Sequence, residues 1–183
     1  DLYAARRADM KDLILFNETF RRTNELTSRA INLAAGQVAV KNPKDKKEKQ
    51  YIQFDDNSAS WDAALDREVM GTLLKNYAEH ASKADLPAFY ADIDAKFGGD
   101  CQKFADWLWD NSLLMKKKAK IYPDSEKAKN DPGIKYGKEL YDLMNSLHKR
   151  LRGSVDEIEE QERNLCAAKL RMEQDLPHYS DAN

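Results

Sequence analysis

The sequence predicts an all-α, elongated helical bundle with long antiparallel helices, and three observations carry that expectation. The chain has 183 residues but only 7 Gly and 5 Pro, which is short of the turn residues that sandwiches and barrels need at every reversal. Apolar residues recur every three to four positions along most of the chain. The first such stretch, from Leu2 to about Ala35, would make a helix roughly 50 Å long at about 1.5 Å per residue. A compact domain of this length has a radius of gyration near ~16 Å, so that helix spans the whole molecule. One domain covering residues 1–183 is expected, large enough to bury about 70% of its unfolded surface without metals or disulfides.

Composition also bounds function. With 42% hydrophobic residues and 30 basic against 32 acidic side chains, for a formal charge of −2, disorder is disfavoured. The bulk excess of Lys and Arg that nucleic-acid binding draws on is absent. No apolar run approaches the ~18 residues of a membrane span, and no signal-peptide pattern opens the chain. The chain starts at Asp1 without Met and stops at Asn183 after a Pro-His-Tyr-Ser turn, and is therefore expected to be a piece of a longer protein.

In chain order, Leu13, Phe16 and Phe20 form one apolar strip of the first helix, Leu26, Ala30 and Leu33 the next, and Gly36 is its stop. Val38 to Tyr51 holds Lys41, Lys44, Lys46, Lys47 and Lys49 around Asn42-Pro43, opposed by Asp45 and Glu48. Without aromatics interleaved, this reads as a solvated loop rather than a phosphate site. Tyr51 to Phe54 alternates as a short strand with little to pair with. Asp56, Asn57, Ser58 and Ser60 offer N-caps for a helix from about Trp61 to Ala81, with Trp61, Leu65, Val69, Leu73 and Tyr77 stepping by four. Asp85 and Pro87 open a helix whose strip is Leu86, Phe89, Tyr90, Ile93 and Phe97, closed by Gly98-Gly99. Asp100 caps the next, with Cys101, Phe104, Ala105 and Leu108 facing inward. Short turns make these three antiparallel.

A second basic run spans Lys116 to Lys120, and Tyr122-Pro123-Asp124 interrupts the pattern. Asp131-Pro132 starts a helix in the capped, Pro-first arrangement, with Tyr136, Leu140, Leu143, Leu147 and Leu151 as its strip. Ser154 and Glu157 fit a capping box after Gly153, which argues for a break. Leu151, Ile158, Leu165 and Met172 recur every seven residues across the same Gly, and continuity is the favoured reading. Pro177 is expected to end the run.

No catalytic constellation emerges. His80, His148 and His178 share no helix turn and lie in no HExxH or ExxH pattern. Cys101 and Cys166 form no CxxC and read as buried free thiols, with a bridge between them as the alternative. Ser112 and Ser146 sit in helical pattern, not in a nucleophile elbow. Gly98-Gly99-Asp100 lacks the Lys and preceding strand of a phosphate loop, so a helix–helix turn explains it. Asp156, Glu157, Glu159, Glu160 and Glu162 read as a solvated face, and Phe104, Trp107 and Trp109 as core. No catalytic, metal or cofactor-binding residue is named.

One set of motifs goes further. Trp61-Asp62-Ala63-Ala64-Leu65 through Leu73-Leu74-Lys75-Asn76-Tyr77, then Asp85-Leu86-Pro87-Ala88-Phe89-Tyr90, Lys96-Phe97-Gly98-Gly99-Asp100 and Phe104-Ala105-Asp106 to Asn111-Ser112, resembles the helical domain of the bacterial dipeptidyl peptidases of the seven and eleven types. The resemblance is closest from Trp61 to Ser112, extends over Asp1 to Ala35, and is faint from Lys116 to Lys135. The closing Ser180-Asp181-Ala182-Asn183 is similar to the point where that family returns from the helices to its barrel.

The resemblance implies a serine exopeptidase that removes dipeptides from free peptide N-termini. Its chymotrypsin-like double β-barrel would carry the Ser-His-Asp triad and the side-chain specificity, with the helical domain inserted into it. Neither triad flank is in this chain, nor is the family's Asn-Tyr-Trp-type motif, so no site residue carries over. The implied partners are the catalytic domain of the same polypeptide and peptides with a free N-terminus. The resemblance further implies a periplasmic or cell-surface setting in a Gram-negative bacterium, a homodimeric full enzyme, and a compartment that permits a Cys101–Cys166 disulfide. The competing class is a stand-alone, non-enzymatic helical binding or adaptor module.

Overall fold

The computed structural model describes residues 2–56 and 62–181, and Asn57, Ser58, Ser60, Trp61, Ala182 and Asn183 lie outside that set. Among the described residues seven α-helices form an elongated bundle: α1 (Leu2–Thr23), α2 (Glu25–Ala34), α3 (Ala63–His80), α4 (Phe89–Phe97), α5 (Cys101–Asn111), α6 (Glu126–Lys129) and α7 (Pro132–Asp181). Among the described residues there is no β-strand; the Tyr51–Phe54 alternation pairs only through single bridges, Lys41 to Tyr51 and Ile52 to Ile121.

The single helix expected from Leu2 to Ala35 is two. Asn24 leaves helical conformation (φ −130°, ψ 122°) and its side chain accepts from the Thr27 amide. Its Nδ2 donates to the Asp66 carbonyl at 2.8 Å, and the residue is buried. The Asn24 side chain caps α2 and fastens it to α3, which compensates part of the helical hydrogen bonding lost at the break. Gly36, at φ +67°, follows the end of α2 as expected.

The longest described element is α7, whose 50 residues span about 75 Å at ~1.5 Å per residue. It starts as predicted, with Pro132 first and the Asp131 carboxylate accepting from the Ile134 amide at 3.1 Å. It is continuous through Gly153, and it also runs past Pro177 to Asp181, where a stop was expected. A proline removes one backbone donor from a helix and need not end it when the chain beyond stays helical.

The helix predicted from Trp61 begins at Ala63, capped by Asp62, whose Oδ1 accepts from the Ala64 and Leu65 amides at 3.0 and 3.1 Å. Its buried face is Met70, Gly71, Leu74 and Tyr77, while Leu65 is exposed and Val69 and Leu73 are half-buried. The every-fourth-residue strip winds about 40° around the helix per step, so only its Tyr77 end reaches the core. Gly98 closes α4 in the left-handed conformation (φ +60°), and Asp100 caps α5 by accepting from the Gln102 and Lys103 amides. A three-residue turn links α4 to α5, whereas residues 81–88 between α3 and α4 hold a 3-10 turn, Lys83–Asp85, so α4 opens at Phe89 and not at Asp85 and Pro87.

The core is an aromatic chain that crosses every layer. Phe20 of α1 meets Tyr77 of α3 edge-on at 6.3 Å, Tyr77 stacks on Tyr90, and Tyr90 on Phe89 at 4.7 Å. Phe89 then contacts Phe104 of α5 and Tyr136 of α7 at 5.8 and 4.9 Å. Against this core α2 packs on α7 over its closest crossing. A Cβ on Gly137 would lie 2.6 Å from the Ala30 carbonyl carbon and 2.7 Å from its oxygen, so the absence of a side chain sets the spacing of the two helices. Gly137→Ala gains about 1 kcal/mol of helix propensity but wedges the backbones apart, and a net loss of about 1–3 kcal/mol is expected. Urea unfolding measures it; a stabilised variant would refute the close approach.

Candidate functional site

Two residue groups have the chemistry of a site. The first is a cavity of about 220 Å³ between α4, α5 and α7, larger than the ~150 Å³ voids that admit benzene. Phe89, Phe97, Phe104, Trp107 and Tyr136 form its walls, and Asp92, Glu139, Lys96 and Lys135 stand at its polar side. Glu139 is held by the fold: α4 begins after Ala88, which has no capping side chain. The Glu139 carboxylate supplies the cap from α7, accepting from the Phe89 amide at 2.9 Å. Desolvation raises its pKa above the ordinary carboxylate value, opposed by the Phe89 hydrogen bond and assisted by the negative charge of Asp92. The cavity wall also includes the Tyr136 side chain, whose hydroxyl, 3.2 Å from the Thr27 hydroxyl, titrates far above the usual phenol range because it is buried. Among the described residues no imidazole, thiol or serine lines the cavity, so the arrangement can hold a small aromatic or cationic group but offers no histidine-activated hydroxyl or thiol beside it.

The second group pairs a serine with an acid. Ser112 Oγ donates to Asp131 Oδ2 at 2.8 Å, and Asp131 Oδ1 accepts from the Leu113 amide at 2.7 Å. Both residues are buried. Ser112 also caps the 3-10 turn Leu113–Met115, and Asp131 caps α7. Buried carboxylate and hydroxyl are thus consumed by backbone amides at a junction of three elements, a structural role.

The remaining candidates stay apart. His80, at the end of α3, is exposed, with Nδ1 2.8 Å from the Asn76 carbonyl and its ring beside Phe16. His148 is half-buried on α7, and the His178 side chain lies outside the described residues. Cys101 and Cys166 are both free. Cys101 is half-buried, its thiol pushed up by desolvation and by the charge of Asp100, whereas Cys166 is exposed on α7, contrary to the burial expected for it. One turn of apolar spacing around Cys166 is too short to show which part of α7 is covered: Leu165, Leu170 and Met172 are exposed too. The side chains of Leu151 and Ile158, the other members of that heptad row, lie outside the described residues. Asp156, Glu157 and Glu160 are exposed as expected, but Glu159 and Glu162 are half-buried. Among the described residues no three His, Cys, Asp or Glu side chains converge on a metal position. Phe104 and Trp109 are buried and Trp107 half-buried, so the three aromatics are core. Sequence reasoning missed Glu139, whose one signal was an acid between the buried positions Tyr136 and Leu140.

These features define a helical module whose described side chains pack, cap and enclose a cavity but bring no catalytic set together. The chain belongs to the Peptidase S46 family, whose family model matches residues 1–183. It is 28% identical over 179 residues to Dipeptidyl-peptidase 7 of Phocaeicola vulgatus, an alignment covering 92% of this chain and 25% of that protein. It is 26% identical over 143 residues to the Asp/Glu-specific dipeptidyl-peptidase of Porphyromonas gingivalis, covering 76% of this chain and 20% of that protein. The chain therefore spans a quarter or less of the length of the curated relatives it matches.

Glu139 gives a pH test with a definite sign. A carboxyl whose folded pKa is raised favours the folded state most below its unfolded value, and that contribution is lost as pH rises through the folded value. Wild type should therefore gain stability relative to Glu139→Gln, which retains an acceptor for Phe89, as pH falls from 7 toward 4.5. Glu139→Ala, which removes the cap, should cost about 1 kcal/mol at neutral pH. Denaturant midpoints across pH measure both, and a pH-independent difference between wild type and Glu139→Gln would refute the desolvated carboxylate.

Proposed function

We propose that this chain is the helical cap of a serine dipeptidyl-peptidase, a domain inserted in a larger polypeptide whose chymotrypsin-like double barrel performs the chemistry. The observation that carries the reading is the match of the whole chain to the Peptidase S46 family, joined to the absence of a converged catalytic set among its described residues. Both relatives are named as dipeptidyl-peptidases, and each extends far beyond the matched stretch, which leaves room for a catalytic domain.

A helical wall beside a barrel cleft closes its far side. It admits a chain end and refuses a chain middle, which is the selection an enzyme needs to count two residues from an N-terminus. Closure of such a wall also removes water from the cleft during acyl transfer. The triad serine then attacks the second peptide bond, the histidine takes the serine proton and returns it to the leaving amine, and water releases the dipeptide. The rigidity this requires is supplied here by the aromatic chain from α1 to α7 and by the close α2–α7 crossing. The enzyme would be periplasmic or at the cell surface of a Gram-negative bacterium, dimeric, and without a metal or cofactor.

Two measurements test the proposal. Replacing residues 1–183 of the full-length enzyme by a short linker should lower dipeptide release at least about tenfold and relax the refusal of N-terminally blocked peptides; undiminished turnover with intact selectivity would sink it. The 183-residue chain by itself should take up no fluorophosphonate probe, and covalent labelling would mean that a nucleophile resides in it after all.

A further inference from the structure

The two lysine runs, far apart in sequence, share one face of the molecule. Lys41 and Tyr51 exchange backbone hydrogen bonds at 2.7 and 3.1 Å, and Ile52 and Ile121 exchange theirs at 2.8 Å. Gln53 Nε2 donates to the Lys118 carbonyl at 2.6 Å, and Lys120 pairs with Glu48 at 3.5 Å and Lys117 with Asp56 at 3.8 Å. Together, residues 38–56 and 116–122 hold nine lysines against Asp45, Glu48, Asp55 and Asp56, an excess of five positive charges in a chain of net charge −2. The stretch 123–130 that follows is balanced, so it does not cancel the excess.

Three features say what such a face fits. Lys44, Lys46, Lys47, Lys49, Lys116 and Lys118 are exposed and make no ion pair among the described residues. Every cation in the two segments is a lysine and none an arginine. Fixed carboxylates or phosphates in a defined interface favour the planar arginine fork, whereas ammonium point charges on flexible stems suit a mobile layer of negative groups. Val40 lies half-exposed, at 50%, beside Lys41, and the rings of Tyr51 and Tyr122 stand 6.3 Å apart, half-buried, with Lys120 Nζ 4.8 Å from the centre of Tyr51. An apolar residue among lysines, with amphipathic rings beneath them, matches a headgroup layer rather than a base-stacking platform, where rings must be bare.

We propose that this face is a peripheral docking surface for an anionic lipid bilayer, with the lysines in the headgroup layer and Val40 at the acyl boundary. A single polybasic signal of this kind gives reversible, salt-sensitive attachment and no insertion. It does not depend on the peptidase reading, because it uses no catalytic group and its readout is not activity.

The test uses the full-length protein that carries this chain, sedimented with vesicles of phosphatidylcholine alone or mixed with phosphatidylglycerol. Binding is expected only to the mixed vesicles, and should weaken at least about tenfold between roughly 0.1 and 0.5 M salt. K44E/K46E/K47E, on an exposed loop, should lower it at least about tenfold with an unchanged thermal unfolding midpoint, and Val40→Ser should lower it severalfold. Equal binding to both vesicle types, or a charge-reversed protein that binds like wild type, overturns the proposal. So does salt-sensitive binding of polyglutamate without vesicle binding, which would assign the face to an acidic polypeptide.

Discussion

The crossing of α2 over α7 at Ala30 and Gly137 is the constraint on which the other packing depends. Gly137 presents bare backbone there to the methyl group and carbonyl of Ala30, so the two helices sit at one distance and neither can rotate without collision. That spacing places Tyr136, one residue away, within reach of Thr27 on α2 and against Phe89 on α4. It also sets where Arg29 points. This buried guanidinium pairs with Glu25 at 2.9 Å, donates to the Leu114 and Asp55 carbonyls at 2.8 and 3.0 Å, and lies over Phe54 at 5.0 Å. One side chain thereby ties α2 to Asp55 in one lysine segment and to Leu114, two residues before the other. Truncating it would strand two carbonyls and a carboxylate, so its fixed partners hold the irregular chain in place as a helix would hold a helix.

Helix ends were the most legible features because their causes are local. Asp100 and Asp131 cap the helices they were expected to cap, and Gly98 takes the left-handed conformation that ends α4. Each such device acts within three or four residues, which a sequence displays directly. The errors have the opposite character. Asn24 looked like one polar position in a long helix because its partner, the Asp66 carbonyl, lies 42 residues away. The inward face of α3 was misjudged because a strip that steps by four winds around the helix, and only the position of α5 decides which part of it is covered.

The candidate site divides the same way. Aromatic residues at helical spacing were recognisable as core, and they are. Their arrangement into a cavity with Glu139 at its polar side was not, since Glu139 acquires its role from the uncapped start of α4, fifty positions earlier. The Ser112–Asp131 pair shows why proximity alone is a poor sign of catalysis. Its oxygens are already occupied by backbone amides of the Leu113–Met115 turn and of α7, and no described imidazole is there to take a proton.

Period, capping residues and scarcity of glycine determined by themselves that the chain is helical, where most of its helices begin and end, and, through motifs spaced along α3 to α5, which peptidase family it resembles. These are properties of neighbours in sequence, fixed by the 3.6-residue turn and by side chains that bond their own backbone. The tertiary structure alone decided which faces are covered, that the first helix breaks at Asn24, that Glu139 caps a helix it does not belong to, and that two lysine runs add up on one surface. Charge and burial depend on distance in space, and folding brings together residues whose separation along the chain carries no information about that distance.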